Sequence, residues 1–332
     1  MIGCGRVSER HAVQMELNGS LVAVCDINKD KADQTASQYG AKAYYSLEDF
    51  LNAGEKADVV AVCTPNGFHA RQSIQILEAG MDVLCEKPMA IFSLDCIKMN
   101  QAAEKAGRQL FIVKQNRFNP PVVAVKKLID DGRLGEIYSV QLNCFWNRND
   151  DYYKNTWKGT KNLDGGTLYT QFSHFIDLLY WFLGDVEPIS VQTRNYHHKG
   201  VIEFEDTGIV NLQFRNGAIG NINYTVNAYK KNMEGSLTLF AEKGTVKIGG
   251  EYLNELEYQL IEGDSVIELS SGNPPNHYGH YVGSMSNHDM VYQNLVAVLN
   301  GKEAVAANGK EGFKTVEIIE KIYRLANEQR SK

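Results

Sequence analysis

Apolar and polar positions follow two different rhythms along the chain. From residue 1 to about 115, short unbroken apolar runs alternate with stretches whose apolar residues recur near every 3.6 positions. The runs are "LVAVCD" (Leu21–Asp26), "ADVVAVCTP" (Ala57–Pro65), "DVLCEKP" (Asp82–Pro88) and "QLFIVKQ" (Gln109–Gln115). Between them lie helical stretches such as "KDKADQTASQYG" and "FHARQSIQILEAG", the latter stopped by Gly80. Runs of Val, Ile and Leu without polar alternation predict strands buried on both faces, hence a parallel sheet with right-handed crossovers. After "QNRFNPP" the rhythm changes. A helix, "VVAVKKLIDDG", precedes a long alternating strand over Glu136–Arg148, and from about Glu187 to Leu269 the period is mostly two. Hairpins are expected to turn at Arg215-Asn216-Gly217 and at Glu242-Lys243-Gly244. Two helices close the chain, near Asn287–Leu299 and Gly312–Glu328.

The predicted organisation is a doubly wound parallel α/β domain over residues 1–116. An α+β domain over 117–332 follows, with a large mixed, mainly antiparallel sheet. Helices take one face of such a sheet. The other face must meet a substrate or a second subunit, so a homo-oligomer (dimer or tetramer) is expected.

The chain opens "MIGCGRVSERH", in which Gly3-x-Gly5-x-x-Ser8 matches the dinucleotide fingerprint with serine at its third position. Gly3 allows the tight turn, Gly5 lets a pyrophosphate approach backbone amides through Arg6 and Val7, and Ser8 is small enough for helix–strand packing. The next strand ends in Asp26, placed to bind the adenosine ribose diol and to repel the extra phosphate of NADP. NAD is therefore the expected cofactor of this Rossmann sheet. Only Met1 and Ile2 precede Gly3, so the expectation is either residues upstream of Met1 or an abnormally short first strand.

Bulk composition narrows the function classes. A chain of 332 residues exceeds what one core usually organises. A net charge of −6 argues against a nucleic-acid surface. No apolar run approaches the roughly 18 residues of a membrane span, and no signal-like segment opens the chain. The six cysteines (Cys4, Cys25, Cys63, Cys85, Cys96 and Cys144) never form C-x-x-C and read as small buried hydrophobes in a reducing cytoplasm.

Several stretches carry polar groups where chemistry is possible. Glu86-Lys87-Pro88 ends an apolar run, which suits either a solvated turn or a lysine held at the carboxyl end of a parallel strand, where ligands bind. "CTPNGFHA" puts Thr64, Pro65, Asn66 and His69 at another strand end, with helix capping the simplest role for Asn66. In "DGGTLYTQFSHFIDLLYWFLG", His174 falls three residues before Asp177, as a core histidine or a functional one. The aromatic loop from Phe145 to Asn162 holds Trp146, Arg148, Tyr152, Tyr153, Trp157 and Lys158, the make-up of a binding loop or an oligomer contact. His197-His198 reads as an exposed turn. His277-x-x-His280 with His288 lacks an acid or cysteine to complete it, so no metal is expected.

Taken in order and spacing, "IGCGRVSERH", "CTPNGFHA", "CEKP" and "DGGxxxxQxxHxxD" resemble the Gfo/Idh/MocA oxidoreductases, named for glucose–fructose oxidoreductase, inositol dehydrogenase and the rhizopine protein. The resemblance spans essentially the whole chain. It implies that Lys87 and His174 face the substrate carbon beside the nicotinamide ring. It further implies that Gly3, Gly5, Arg6, Val7, Asp26, Thr64, Pro65, Asn66, His69, Glu86 and Lys87 line the cofactor.

Longer stretches, among them "KQNRFNPP", "EDTGIVNLQFRNGAIG" and "YKKNMEGSLTLFAEKGTVKIGG", look like the UDP-N-acetylglucosaminuronate 3-dehydrogenases of bacterial surface-polysaccharide (O-antigen) synthesis. That likeness implies a nucleotide-sugar substrate. Its contacts would come from Arg117, Arg148, Tyr152, Tyr153, Trp157, Lys158, Thr170, Gln171 and Asp177, with Arg117 reaching the carboxylate. Many family members carry an aspartate four residues before the histidine. Here that position is Thr170, leaving Gln171 or Asp177 to orient His174. A histidine with a pKa near ambient suits the general base, with Lys87 holding the hydroxyl. Lys87 is the base only if its pKa falls by several units. Alternatives are a dehydrogenase of a free polyol or monosaccharide, or a non-catalytic dinucleotide sensor.

Overall fold

In the computed structural model of the protein, residues 1–263, 268–277 and 282–330 are described. The chain divides into two compact units, Met1–Lys114 with His288–Val316, and Gln115–Asn287 with Glu317–Lys332. The expected boundary at 116 lies two residues from the observed junction. The contiguous second domain expected over 117–332 instead yields residues 288–316 to the first unit.

The first unit begins with α1 (Ser8–Asn18), β1 (Ala23–Cys25), α2 (Lys29–Tyr39), β2 (Lys42–Tyr44), α3 (Leu47–Asn52) and β3 (Val59–Val62). It continues with α4 (His69–Glu78), β4 (Asp82–Cys85), α5 (Ser93–Ala106) and β5 (Leu110–Ile112). Every strand pairing is parallel, and β1, β4 and β5 are buried along their whole length. That is why their sequences show no polar alternation. Ile2 alone stands for a central strand, bridging Cys25 on one side and Val62 on the other. The parallel order is thus β2, β1, Ile2, β3, β4, β5. Asn28 caps α2 by accepting from the Lys31 amide at 3.1 Å, and Gly80 follows α4 with a left-handed φ of +84°.

The second unit contributes α6 (Pro120–Asp130), β6 (Ile137–Phe145), α7 (Asp150–Tyr153), α8 (Thr167–Thr170) and α9 (Ser173–Leu183). Its sheet continues with β7 (Val186–Arg194), β8 (Thr207–Phe214), β9 (Ile219–Thr225), β10 (Glu234–Ala241), β11 (Gly244–Gly249) and β12 (Glu255–Ile261). These order as β12-β11-β10-β6-β9-β8-β7, antiparallel except for the parallel β6–β9 pair. Both expected hairpins form, the first around Gly217 at φ +96°.

Alternate residues such as Leu142, Leu212, Ile222 and Leu239 are buried, and α9 lies over this side: a Cβ on Gly235 would stand 2.9 Å from the Phe175 ring. The opposite face carries a ladder of amides, in which Asn223 donates to Asn143 at 3.1 Å and to Asn221 at 3.0 Å. Ile209, Ile219, Tyr258 and Leu260 are exposed.

A short antiparallel pair, β13 (Pro275–His277) with β14 (Val282–Met285), precedes α10 (His288–Leu299). The last helix, α11 (Gly309–Arg330), is longer than the sequence suggested. The α10 helix packs on α1. The segment after it closes the β5 edge, with the Ile112 amide donating to the Ala307 carbonyl at 2.9 Å and an antiparallel bridge between Phe111 and Asn308. Among the described residues, no helix is long and apolar enough to cross a membrane.

Candidate active site

In the first unit the glycine loop is built by contacts that only glycine tolerates. Gly3 has φ +93°, and a Cβ there would stand 2.8 Å from the Cys63 carbonyl oxygen. Its amide donates to the Cys25 carbonyl at 2.7 Å, which holds the loop over the end of β1. Gly5 is the opposite case: it is exposed, and a Cβ on it would meet nothing within 4 Å. This open backbone at the start of α1, continued by exposed Arg6 and half-buried Val7, is what a pyrophosphate needs for close approach, so these residues fit NAD. Ser8 is buried and donates to the Gly5 carbonyl at 2.5 Å, locking the turn.

Asp26 stands just past β1. Its carboxylate accepts from the Cys4 amide and the Asn28 amide, both at 2.8 Å. A fixed anion here predicts a cofactor preference. NAD should exceed NADP in kcat/KM by about tenfold or more, read from initial rates with each cofactor. Equal use of the two would remove Asp26 from the ribose site.

Three chain segments meet around the Glu86-Lys87-Pro88 turn. The Glu86 amide donates to the Val62 carbonyl at 3.0 Å, continuing the ladder from β3 past the end of β4. Lys87 is half-buried, and the Lys87–Pro88 peptide is cis. His69 is a buried strut whose two ring nitrogens each lie 2.8 Å from a carbonyl, that of Pro88 and that of Thr64. Thr64 itself donates to Gln72 at 2.5 Å. Half-buried Pro65 precedes a short turn over Asn66–Phe68, and neither that turn nor α4 has a side-chain cap. Asn66, expected to cap a helix here, is buried at the strand end.

Glu86 is buried and meets two histidines, His11 Nε2 at 3.0 Å and His288 Nε2 at 3.3 Å. Burial works against its charge, yet hydrogen bonds from both imidazoles hold the carboxyl well below the usual carboxylate range. Sequence reasoning assigned no role to His11 and set His288 in a doubtful metal cluster. Of that cluster, His280 lies outside the described residues.

In the second unit, His174 is the second residue of α9 and is buried. Asp177, one turn on, accepts from Arg117 Nε at 2.8 Å and from its terminal nitrogen at 2.9 Å, with both side chains buried. Arg117, expected at a substrate carboxylate, thus has its charge matched within the unit, and its guanidinium lies 5.0 Å from the Trp181 ring centre.

Arg148 is likewise internal. It donates to Gln171 at 2.8 Å and Asn232 at 3.1 Å and stacks over Trp146 and Tyr152. Gln171 in turn donates to the Tyr152 hydroxyl at 2.9 Å. Tyr152 and Tyr153 are buried, so this part of the aromatic loop is a packed platform. Trp157 and Lys158 are half-buried, with the Lys158 ammonium 4.1 Å from the Tyr152 ring centre. Thr170 bonds the Asp164 carboxylate, which also accepts from the Gly159 amide at 2.7 Å. The exposed turn expected at His197-His198 is half right: His197 is exposed. His198 is fully buried, with its ring nitrogens 3.3 Å from Asp206 and 2.8 Å from the Arg148 carbonyl.

Residues 1–114 match the family described as oxidoreductase family, NAD-binding Rossmann fold, and residues 122–247 match the Gfo/Idh/MocA C-terminal domain. The chain is similar to the WlbA dehydrogenase of Bordetella pertussis, solved with NADH and UDP-GlcNAcA: 36% identity, 99% of this chain and 95% of that one covered, TM-score 0.88. The WlbA counterpart from Chromobacterium violaceum, in complex with the same two ligands, is 35% identical over 99% of this chain and 93% of its own, also with TM-score 0.88. Glucose-6-phosphate 3-dehydrogenase of Bacillus subtilis is 25% identical, covering 97% of this chain and 94% of that protein.

Proposed function

The chain belongs to the Gfo/Idh/MocA oxidoreductase family and is an NAD-dependent dehydrogenase of sugar or polyol hydroxyls; within it we propose that the substrate is UDP-N-acetylglucosaminuronate, oxidised at carbon 3. The observation carrying this reading is the 36% identity, over 99% of the chain, to a dehydrogenase solved with UDP-GlcNAcA. Bound NAD supplies the hydride acceptor. The chain's own part is to place and deprotonate the alcohol. Lys87 holds the 3-hydroxyl and stabilises developing alkoxide charge, and His174 takes the hydroxyl proton. The C3–H bond breaks as hydride leaves, a C=O bond forms, and the product is a 3-keto nucleotide sugar. The reaction takes place in the cytoplasm and supplies an amine-installing step of surface-polysaccharide (O-antigen) synthesis. The Lys158 ammonium beside the Tyr152 and Trp157 rings suits an anionic, ring-bearing ligand.

The test is NADH formation with UDP-N-acetylglucosaminuronate, UDP-N-acetylglucosamine and inositol, NAD in excess. Turnover is expected with the uronate and to fall about tenfold or more without its carboxylate. Turnover of inositol without that of the uronate would return the protein to the polyol dehydrogenases.

The open face of the large sheet supports a second proposal, a homo-oligomer formed there. Its preformed amide ladder flanked by exposed Ile209 and Ile219 combines satisfied polar groups with apolar area. Light scattering at micromolar concentration should give a multiple of the 37.2 kDa chain mass. Ile209→Lys with Ile219→Lys should reduce it to a monomer, and a monomeric parent protein would remove the proposal.

A further inference from the structure

The charge of Glu86 is anchored from two helices far apart in sequence, and its direction of hydrogen bonding is fixed. Tyr292 is buried, and burial raises its phenol well above the usual range, so it keeps its proton. Its hydroxyl lies 2.9 Å from His11 Nδ1. Burial lowers the His11 pKa, which favours the neutral ring. An ionised Glu86 can only accept, so the single ring proton sits on Nε2, 3.0 Å from Glu86 Oε1, and Nδ1 accepts from the tyrosine hydroxyl. His288, one helical turn before Tyr292, sends its own Nε2 to the same oxygen at 3.3 Å. The other carboxylate oxygen, Oε2, accepts from the Lys87 amide at 3.0 Å. Donors from α10, from α1 and from the Lys87 backbone therefore converge on the Glu86 carboxylate.

The same three side chains, His11, Glu86 and His288, have the composition of a metal site. In the structure both ring nitrogens lie at hydrogen-bond distance from one carboxylate oxygen of Glu86. The trio is a hydrogen-bonded anchor.

We propose that His11, His288 and Tyr292 are positioning residues for the dehydrogenase reaction, fixing Lys87 through the Glu86 carboxylate. The proposal rests on the role of Lys87 given above. Because α1 also carries the glycine loop, the anchor joins the cofactor-binding helix to the lysine. A general packing role would lower stability without regard to Lys87, whereas a positioning role works only through that side chain.

Single-turnover NADH formation from enzyme in excess over UDP-N-acetylglucosaminuronate separates the two. His288→Ala and Tyr292→Phe should each lower the rate by about threefold to thirtyfold with NAD affinity unchanged, measured by fluorescence titration. In a Lys87→Met background the same substitutions should have no further effect. Equal losses in both backgrounds would overturn the positioning role while leaving the lysine's own role intact. If Lys87→Met alone ran at the parent rate, the catalytic reading of the lysine would fall and the anchor's role with it. Should His288→Ala not fold, Tyr292→Phe, which removes one hydroxyl, carries the same comparison.

Discussion

Replacing Lys87 by Met, or His174 by Asn, is expected to lower turnover by a factor on the order of 10² or more while NAD still binds. The loss at Lys87 follows from its place at the carboxyl end of β4, with its backbone fixed by Glu86 and the next carbonyl, that of Pro88, held by His69. Methionine keeps the length of the side chain and removes the charge to which the proposed mechanism assigns alkoxide stabilisation. At His174, asparagine keeps hydrogen-bonding groups and removes the basic nitrogen. Since both residues are assigned to one hydroxyl, the double variant should be little slower than the worse single one. Stopped-flow absorbance of NADH gives the rate, and quenching of intrinsic fluorescence gives NAD affinity. A variant that kept near-parent turnover with its true substrate would lose its assigned role.

The second large effect is on stability. Arg117 and Asp177 form a doubly hydrogen-bonded ion pair with both side chains nearly inaccessible. Removing one partner leaves a buried charge with its counter-charge gone, which costs about 3–5 kcal/mol. Arg117→Ala should therefore lower the unfolding midpoint by roughly 10 °C for a unit of this size. Arg117→Met with Asp177→Leu removes both charges and fills similar volume, so it should recover most of the loss. Circular-dichroism melts of the three proteins decide it. A loss below about 1 kcal/mol for Arg117→Ala would mean that Asp177 is well solvated without its partner.

The sequence made legible what depends on local backbone chemistry. Strands buried on both faces show unbroken apolar runs, and β1, β3, β4 and β5 lie within the runs expected of them. Gly3 could be placed because the tight turn it makes, at φ +93°, imposes glycine. The internal pairings were not legible. Arg117 and Asp177 are 60 residues apart, and Arg148 and His198 are 50 apart, so no periodicity records that they meet. Arg148 and Arg117 looked like free cations because a sequence shows charge but not the partner that neutralises it. The return of residues 288–316 to the first unit was hidden for the same reason: an amphipathic helix shows which face it buries, never against what.

That return has a consequence for how the protein is made. Residues 115–287 must be synthesised before the segment that completes the cofactor unit, which at ordinary translation rates is roughly 10–35 s. During that interval the nascent first unit has a bare β5 edge where Ala307 and Asn308 will later pair. Glu86 likewise waits for His288. The newborn chain is thus most open to strand-to-strand aggregation before its end emerges, and a ribosome stalled short of residue 288 holds a cofactor unit that cannot close.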